Sequence, residues 1–343
     1  RTGTTAWMVT STQKKWRLFR TWVARYPLWC AWQVTYRCNF RCGFCGYYDD
    51  PRGREPEHGV ADFARGAAKL AKLGTMFISL AGGEPLLRED LVDIAREVSR
   101  FHIPFVTTNG WLMTPELAGG LYEAGLWGVS VSLDYADAAM HDRRRGMPGA
   151  WDRAIKALKY LKAARTEPWQ RVNVMCVLMH DNLDQIEPLI ELAADHGAYF
   201  MVQPYGQLKT GSDRFHNRDE SVSARLLALK DKHRNFLSNR TFLSKFDHAV
   251  RQGVGGCMAG RAFFNIDSTG NTTMCVENGS RSVGNIHSDN EQYLMRGLRR
   301  DARGNRCKRC WYNCRGEVEM LYRPLSLAES LPTLLFDRGR ASR

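Results

Sequence analysis

The chain of 343 residues contains no apolar run long enough to span a bilayer and no secretory signal. A membrane-spanning or exported protein is therefore not expected. No internal repeat or low-complexity tract stands out. Ten cysteines are too few, and too unevenly spread, for a disulfide scaffold. Six of them fall in two tight groups, which reads as metal binding in a reducing, cytoplasmic compartment. Hydrophobic residues make up 44% and charged residues 25%, an ordinary globular balance with enough chain for one large domain and a smaller one. The net charge of +13 suggests an acidic partner, although a merely solvated basic surface fits it equally.

The first cysteine group, Cys38, Cys42 and Cys45, lies in one short loop. Structural zinc and electron-transfer iron–sulfur centres usually take four protein ligands, so three leave a coordination position for a reactant. A zinc knuckle is the competing reading.

From Leu28 onward the pattern alternates strand and helix. Strands are expected at 28–35, 76–81, 104–108, 128–133, 172–179 and 198–203. Helices are expected at about 60–73, 89–101, 115–124, 151–164 and 183–196. Six such strands predict an α/β fold, a partial parallel (β/α)6 barrel over residues 28–206. Reactive groups then belong at the C-terminal strand ends. The cysteine loop follows strand one, Gly82-Gly83-Glu84-Pro85 strand two, Thr108-Asn109 strand three and Ser132-Leu133-Asp134 strand four. Met179-His180 and Gln203-Pro204-Tyr205 end the last two strands. All share one rim.

The Cys-x3-Cys-x2-Cys spacing, with the glycine-rich segment placed as it is, resembles the radical S-adenosylmethionine (radical SAM) superfamily. The resemblance implies a 4Fe–4S cluster held by Cys38, Cys42 and Cys45, with SAM chelated by its fourth iron. It implies reductive cleavage of SAM to methionine and a 5′-deoxyadenosyl radical, which takes hydrogen from a substrate carbon. Phe44 would lie near the adenine. Gly82, Gly83 and Glu84 would serve the amino group, and Thr108, Asn109 and Ser132 the ribose or the carboxylate. Arg145, with Arg144 as runner-up, would pair with that carboxylate. An electron donor such as a flavodoxin or ferredoxin is implied as partner.

Residues 207–252 read as a polar, helix-rich bridge. Residues 253–322 carry Cys257, Cys275, Cys307, Cys310 and Cys314. Two short strands joined by Ser268-Thr269-Gly270-Asn271 would bring Cys257 and Cys275 together. This region resembles the SPASM/twitch extension of radical SAM enzymes, which implies a small auxiliary module with a second 4Fe–4S cluster. Five cysteines suffice for one such cluster. Cys257, Cys275 and Cys310 come first, Cys307 and Cys314 compete, and structural zinc stays open. Cys30 and Cys176 read as buried hydrophobes. His180, Tyr205 and Glu317 could act on a substrate, but none is nominated as catalytic.

The resemblance implies modification of a peptide or protein, with a lipid, sugar or cyclitol as alternatives. No separate leader-binding domain is legible ahead of the barrel. The basic, aromatic segment 1–27 places Trp16, Phe19 and Val23 on one helical face. That face is expected either to pack on the domain or, through residues 14–25, to touch an anionic membrane or capture a peptide. A non-catalytic metal-cluster protein that binds nucleic acid is the reading from another class, and the glycine-rich segment opposes it. The tail, 323–343, is expected to pack as a helix.

Overall fold

The computed structural model describes residues 12–219, 221–277, 281–323 and 326. After α1 (Thr12–Val23) the chain runs β1 (Trp29–Thr35), α2 (Val60–Lys72), β2 (Phe77–Gly82), α3 (Leu91–Ser99), β3 (Ile103–Thr108), α4 (Pro115–Glu123) and β4 (Gly128–Ser132). It continues through α5 (Ala138–Arg145), α6 (Ala150–Ala164), β5 (Arg171–Leu178), α7 (Ile186–Asp195) and β6 (Tyr199–Pro204). Then come α8 (Val222–Lys232), α9 (Arg240–Leu243), α10 (Phe246–Arg251), β7 (Phe263–Ile266), β8 (Asn271–Thr273), β9 (Ser282–Asn285), α11 (Glu291–Arg303) and α12 (Asn313–Gly316).

The six strands expected from the alternation run parallel in one sheet, ordered β6-β5-β4-β3-β2-β1-β7-β8-β9. Their helices cover its outer face because apolar residues recur at helical spacing. On α2, Phe63, Gly66, Ala67 and Leu70 are buried. Local chemistry sets the ends: Thr114 caps α4, Asp137 caps α5, and Gly146, in the left-handed region, stops α5.

The C-terminal strands do not stand apart. β7 adds in parallel to the outer edge of β1, from Trp29↔Phe263 to Trp32↔Ile266, and β8 and β9 follow antiparallel. Lys69 of α2 fastens the junction, its Nζ donating to the carbonyls of Ile286, His287 and Asp289 at 2.8–2.9 Å. The segment 207–252 is less polar in effect than its composition suggests. Phe236, Phe242, Leu243 and Phe246 are buried, and Leu237 bonds to Phe200 at the free edge of β6.

One expectation is corrected on α1. Trp16, Phe19 and Val23 do share a face, but that face is 53–60% exposed rather than packed on the domain. The opposite side docks. The Thr21 hydroxyl donates to Gly74 O, the Trp22 indole donates to Leu321 O, and Leu18 and Trp22 join Leu28, Met76 and Phe77. Two directed hydrogen bonds with apolar burial beside them decide the rotation of the helix. Among the described residues no helix is long and apolar enough to cross a membrane. The expected tail helix lies outside the described residues, apart from Ser326.

Candidate active site

β1 ends at Thr35, and the loop beyond it carries Cys38, Cys42 and Cys45 as free thiols. A turn from Cys42 O to Cys45 N and an N–H from Phe40 to Cys38 Sγ shape the loop. Cys42 is buried and the other two are half-buried. Burial pushes the Cys38 thiol up to about 11 and the Cys42 thiol up to about 12, with the Arg145 cation pulling modestly the other way. Burial disfavours the bare Cys38 and Cys42 thiolates, so a multivalent cation is a partner that suits the gathered sulfurs.

The glycine pair works on this loop first. A Cβ on Gly82 would stand 1.9 Å from Thr35 O, and one on Gly83 would stand 2.2 Å from Arg37 O. Gly82 also has φ +140, where side chains are strained. The close approach lets Gly83 N and Glu84 N donate to Thr35 O and Arg37 O at 3.0 and 2.8 Å. Glu84 then reaches across to β3. Its buried carboxylate accepts from the Thr108 hydroxyl, the Asn109 N–H and the Leu86 N–H at 2.7, 2.7 and 3.0 Å. Asn109 Nδ2 closes the circuit on Asn39 Oδ1, inside the cysteine loop. Glu84, Thr108 and Asn109 thus brace the rim.

Arg145 is 7% exposed and reaches the rim from the end of α5. Its Nε and Nη2 lie 2.8 and 2.7 Å from Asp134 Oδ2, and its guanidinium sits 5.3 Å from the Phe44 ring centre. Burial opposes its charge, but the Asp134 carboxylate outweighs burial and keeps the guanidinium firmly protonated. Arg144 points elsewhere, to Asp181 and Tyr135. Gly146 fits this helix end against the loop, since a Cβ there would stand 2.7 Å from Arg41 O.

Below the rim lies a cavity of about 510 Å³. Strand alternation explains it. Inward positions of the parallel strands include Ala31, Ser79, Ala81, Ser130 and Ser132, where a filled barrel would carry branched residues. Trp29, Phe77, Phe105 and Trp127 line it as well, with the Trp29 and Phe105 rings 4.5 Å apart. Cys38, Cys42, Cys45, Phe44, Gly82, Gly83, Glu84, Thr108, Asn109, Ser132 and Arg145 all line the same cavity, so the structure brings the whole first set of expected residues together.

The second cysteine group borders that cavity through Cys314. Cys257, Cys275 and Cys314 pack in one cluster with Ala259, Ala262, Phe263 and Val318, and Cys307 and Cys310 lie within electrostatic reach of them. Burial pushes the Cys275 and Cys310 thiols up to about 11 and 12, and raises those of Cys257 and Cys314. Beside them Arg315 is fully buried. It donates to Val254 O and Cys310 O at 2.8 Å and meets Glu319 at 3.1 Å. A buried cation beside Cys257 and Cys310 suits an anionic thiolate cluster.

Of the three substrate candidates, Tyr205 and Glu317 line the cavity and His180 does not. The Tyr205 hydroxyl bonds within its own loop, and Glu317 accepts from Asn239 N, so both have structural partners. Cys30 and Cys176 are buried in strands as expected. Sequence reasoning missed Asp134 as the partner of Arg145, although it lies just past the end of β4. It also missed Lys209, whose Nζ meets Glu277 at 2.7 Å in the cavity wall, because nothing in its segment marks it.

An open parallel barrel with free thiols at its mouth and a second thiol group in its wall is the frame of a cluster-binding α/β protein. Residues 32–193 match the family model described as the radical SAM superfamily, and the chain carries a radical SAM domain. The AdoMet-dependent heme synthase of Methanosarcina barkeri is 34% identical over 186 residues, 53% of this chain and 52% of that protein. The chain thus spans about half the length of that relative. The mycofactocin maturase MftC of Mycolicibacterium smegmatis is 27% identical over 309 residues, 84% of this chain and 77% of that one. Streptococcus suis SuiB bound to the precursor peptide SuiA shares the fold, with a TM-score of 0.68 at 17% identity over 91% of this chain and 77% of that chain.

Proposed function

We propose that this protein is a radical SAM enzyme that cleaves S-adenosylmethionine reductively and modifies a peptide or protein at a C–H bond. The observation that carries the reading is the convergence of the three-thiol loop, the glycine pair and Arg145 on one cavity, with a second thiol group in its wall. Cys38, Cys42 and Cys45 would hold one 4Fe–4S cluster and four of the five C-terminal cysteines the auxiliary one. When bound, the first cluster supplies the electron that splits the sulfonium.

The chain's own residues bind and orient. Arg145, screened on one side by Asp134, offers its remaining N–H groups to the SAM carboxylate. Phe44 lies against Arg145 as an apolar wall for the adenine. Glu84, tied to Thr108 and Asn109, holds the rim rigid, while Phe40, Phe44 and Tyr205 exclude water.

A peptide substrate is favoured because the match to a maturase, and the fold shared with a precursor-peptide complex, both extend over most of this chain. A small redox protein of the ferredoxin or flavodoxin class would deliver the electron, and the net charge of +13 suits an acidic donor. The lipid alternative keeps one support, the exposed Trp16, Phe19 and Val23. Unchanged liposome binding after deletion of residues 1–25 would remove it. The decisive experiment gives anaerobically purified protein dithionite and SAM. 5′-Deoxyadenosine is expected, and its absence in fully iron-loaded protein would favour the non-catalytic reading.

A further inference from the structure

The cavity wall holds hydrogen-bonding capacity that the protein does not spend. Its charged groups are engaged: Arg145 with Asp134, Lys209 with Glu277, Lys230 with the Phe236 carbonyl, Glu84 with Thr108, and Glu317 with the Asn239 N–H. The Arg171 guanidinium lies 4.7 Å from the Trp127 ring centre. Among the described residues of the wall, three neutral groups are buried without a partner: Asn173 Oδ1, Asn313 Oδ1 and the Trp29 indole N–H. A buried polar atom left unpaired is costly, and a ligand that satisfies it recovers that cost.

The two asparagines come from opposite parts of the chain. Asn173 is an inward residue of β5, 6% exposed, and its Nδ2 is spent on Ser130 Oγ at 3.2 Å, which leaves the oxygen over. Asn313 opens α12, one residue before Cys314. Its Nδ2 lies 3.3 Å from Met175 Sδ, a weak acceptor, and Met175 is two residues beyond Asn173 on the same strand. One occupant could therefore touch both the barrel and the second cysteine group.

We propose that Asn173 and Asn313 form a substrate subsite that accepts N–H donors from a peptide amide, beside which an aromatic side chain of that peptide rests on Trp29, Phe105 and Trp127. This rests on the peptide-modifying reading above and adds the chemistry that the chamber selects. The occupant is neutral at this point. The two asparagine oxygens accept and do not donate, so a carboxylate, which also only accepts, finds no partner in them.

The test uses the iron-loaded protein without reductant, so no turnover occurs. Binding of three probes is followed by ligand-observed NMR: N-acetyl-L-phenylalaninamide, its methyl ester analogue and the free acid. The amide is expected to bind about tenfold tighter than the ester, the difference of a hydrogen bond or two. Asn173→Leu and Asn313→Leu are each expected to remove most of that preference while ester binding persists. Equal binding of amide and ester, tighter binding of the acid, or no saturable binding of any probe would overturn the subsite. If a leucine variant fails to fold by circular dichroism, the wild-type probe series decides alone. Because no SAM cleavage is involved, amide selectivity without 5′-deoxyadenosine formation would sink the radical reading only. Cleavage without amide selectivity would sink the subsite only.

Discussion

Glu84 Oε1 accepts the Thr108 hydroxyl at 2.7 Å, and this bond joins the ends of two neighbouring strands beneath the thiol loop. The carboxylate also takes two backbone N–H groups. Glu84→Ala leaves those buried donors unpaired, so a loss of about 2–5 kcal/mol is expected. Denaturant unfolding measures it. A variant as stable as the parent would show that the brace carries no weight.

Gly83 tests the close approach of the same two loops. Gly83→Ala places a methyl group 2.2 Å from Arg37 O, a backbone atom that cannot swing aside. The variant is expected to bind less iron at the first site and to lose SAM cleavage, while the iron of the second cysteine group remains. Iron analysis and the absorbance spectrum after anaerobic reconstitution give the answer. Full occupancy of both sites would contradict the account.

Arg145→Lys keeps the charge but loses the planar fork. SAM affinity is expected to fall at least about tenfold, because one ammonium cannot serve Asp134 and a carboxylate in the same geometry. Arg145→Ala is expected to cost about 3–5 kcal/mol in stability as well, since Asp134 stays buried without its cation. Anaerobic calorimetry with SAM and thermal melts separate the two effects.

Metal content discriminates between the cysteine groups. Replacing Cys38, Cys42 and Cys45 together by alanine should abolish 5′-deoxyadenosine formation yet retain iron at the C-terminal group. Cys257→Ala should lower the iron content while uncoupled SAM cleavage persists. Zinc in place of iron at the first group in freshly isolated protein would defeat the functional reading.

His141 makes the rim sensitive to acid. It is 1% exposed, and its Nδ1 accepts the Asp134 N–H at 3.2 Å, so the folded ring is neutral. Burial, with the Arg145 cation adding to it, drives its pKa from 6.5 down to about 2. Above pH 6.5 the ring is neutral whether the chain is folded or not, and the contribution is complete. As pH falls from 6.5 toward 2, the unfolded chain takes up a proton that the folded chain refuses, and stability is lost. Thermal melts from pH 7.5 to 4 should fall more steeply for the parent than for His141→Gln. Parallel curves would exclude this histidine as a cause.

The strand–helix alternation was legible because each parallel strand is a buried apolar run. Its observed limits, such as Phe77–Gly82 or Arg171–Leu178, fall within a residue or two of the expected ones. The rim residues were legible because parallel topology sends all strand ends one way. Other features depend on partners far away in the chain. Nothing local in Phe263–Ile266 says that it pairs with β1, and nothing near Lys209 announces Glu277. The rotation of α1 escaped for a similar reason. Helical periodicity weighs Trp16, Phe19 and Val23 by hydrophobicity alone, whereas the indole of Trp22 answers to a carbonyl 299 residues away.

The hollow under the rim is made by small side chains, Ala31, Ser79 and Ser130, on strands whose backbone bonds are already complete. Enlarging any one of them trims the chamber without moving a thiol. Capacity and chemistry are thus carried by different residues in this protein: the small side chains set the room for a guest, and the thiol loop above them sets what can react.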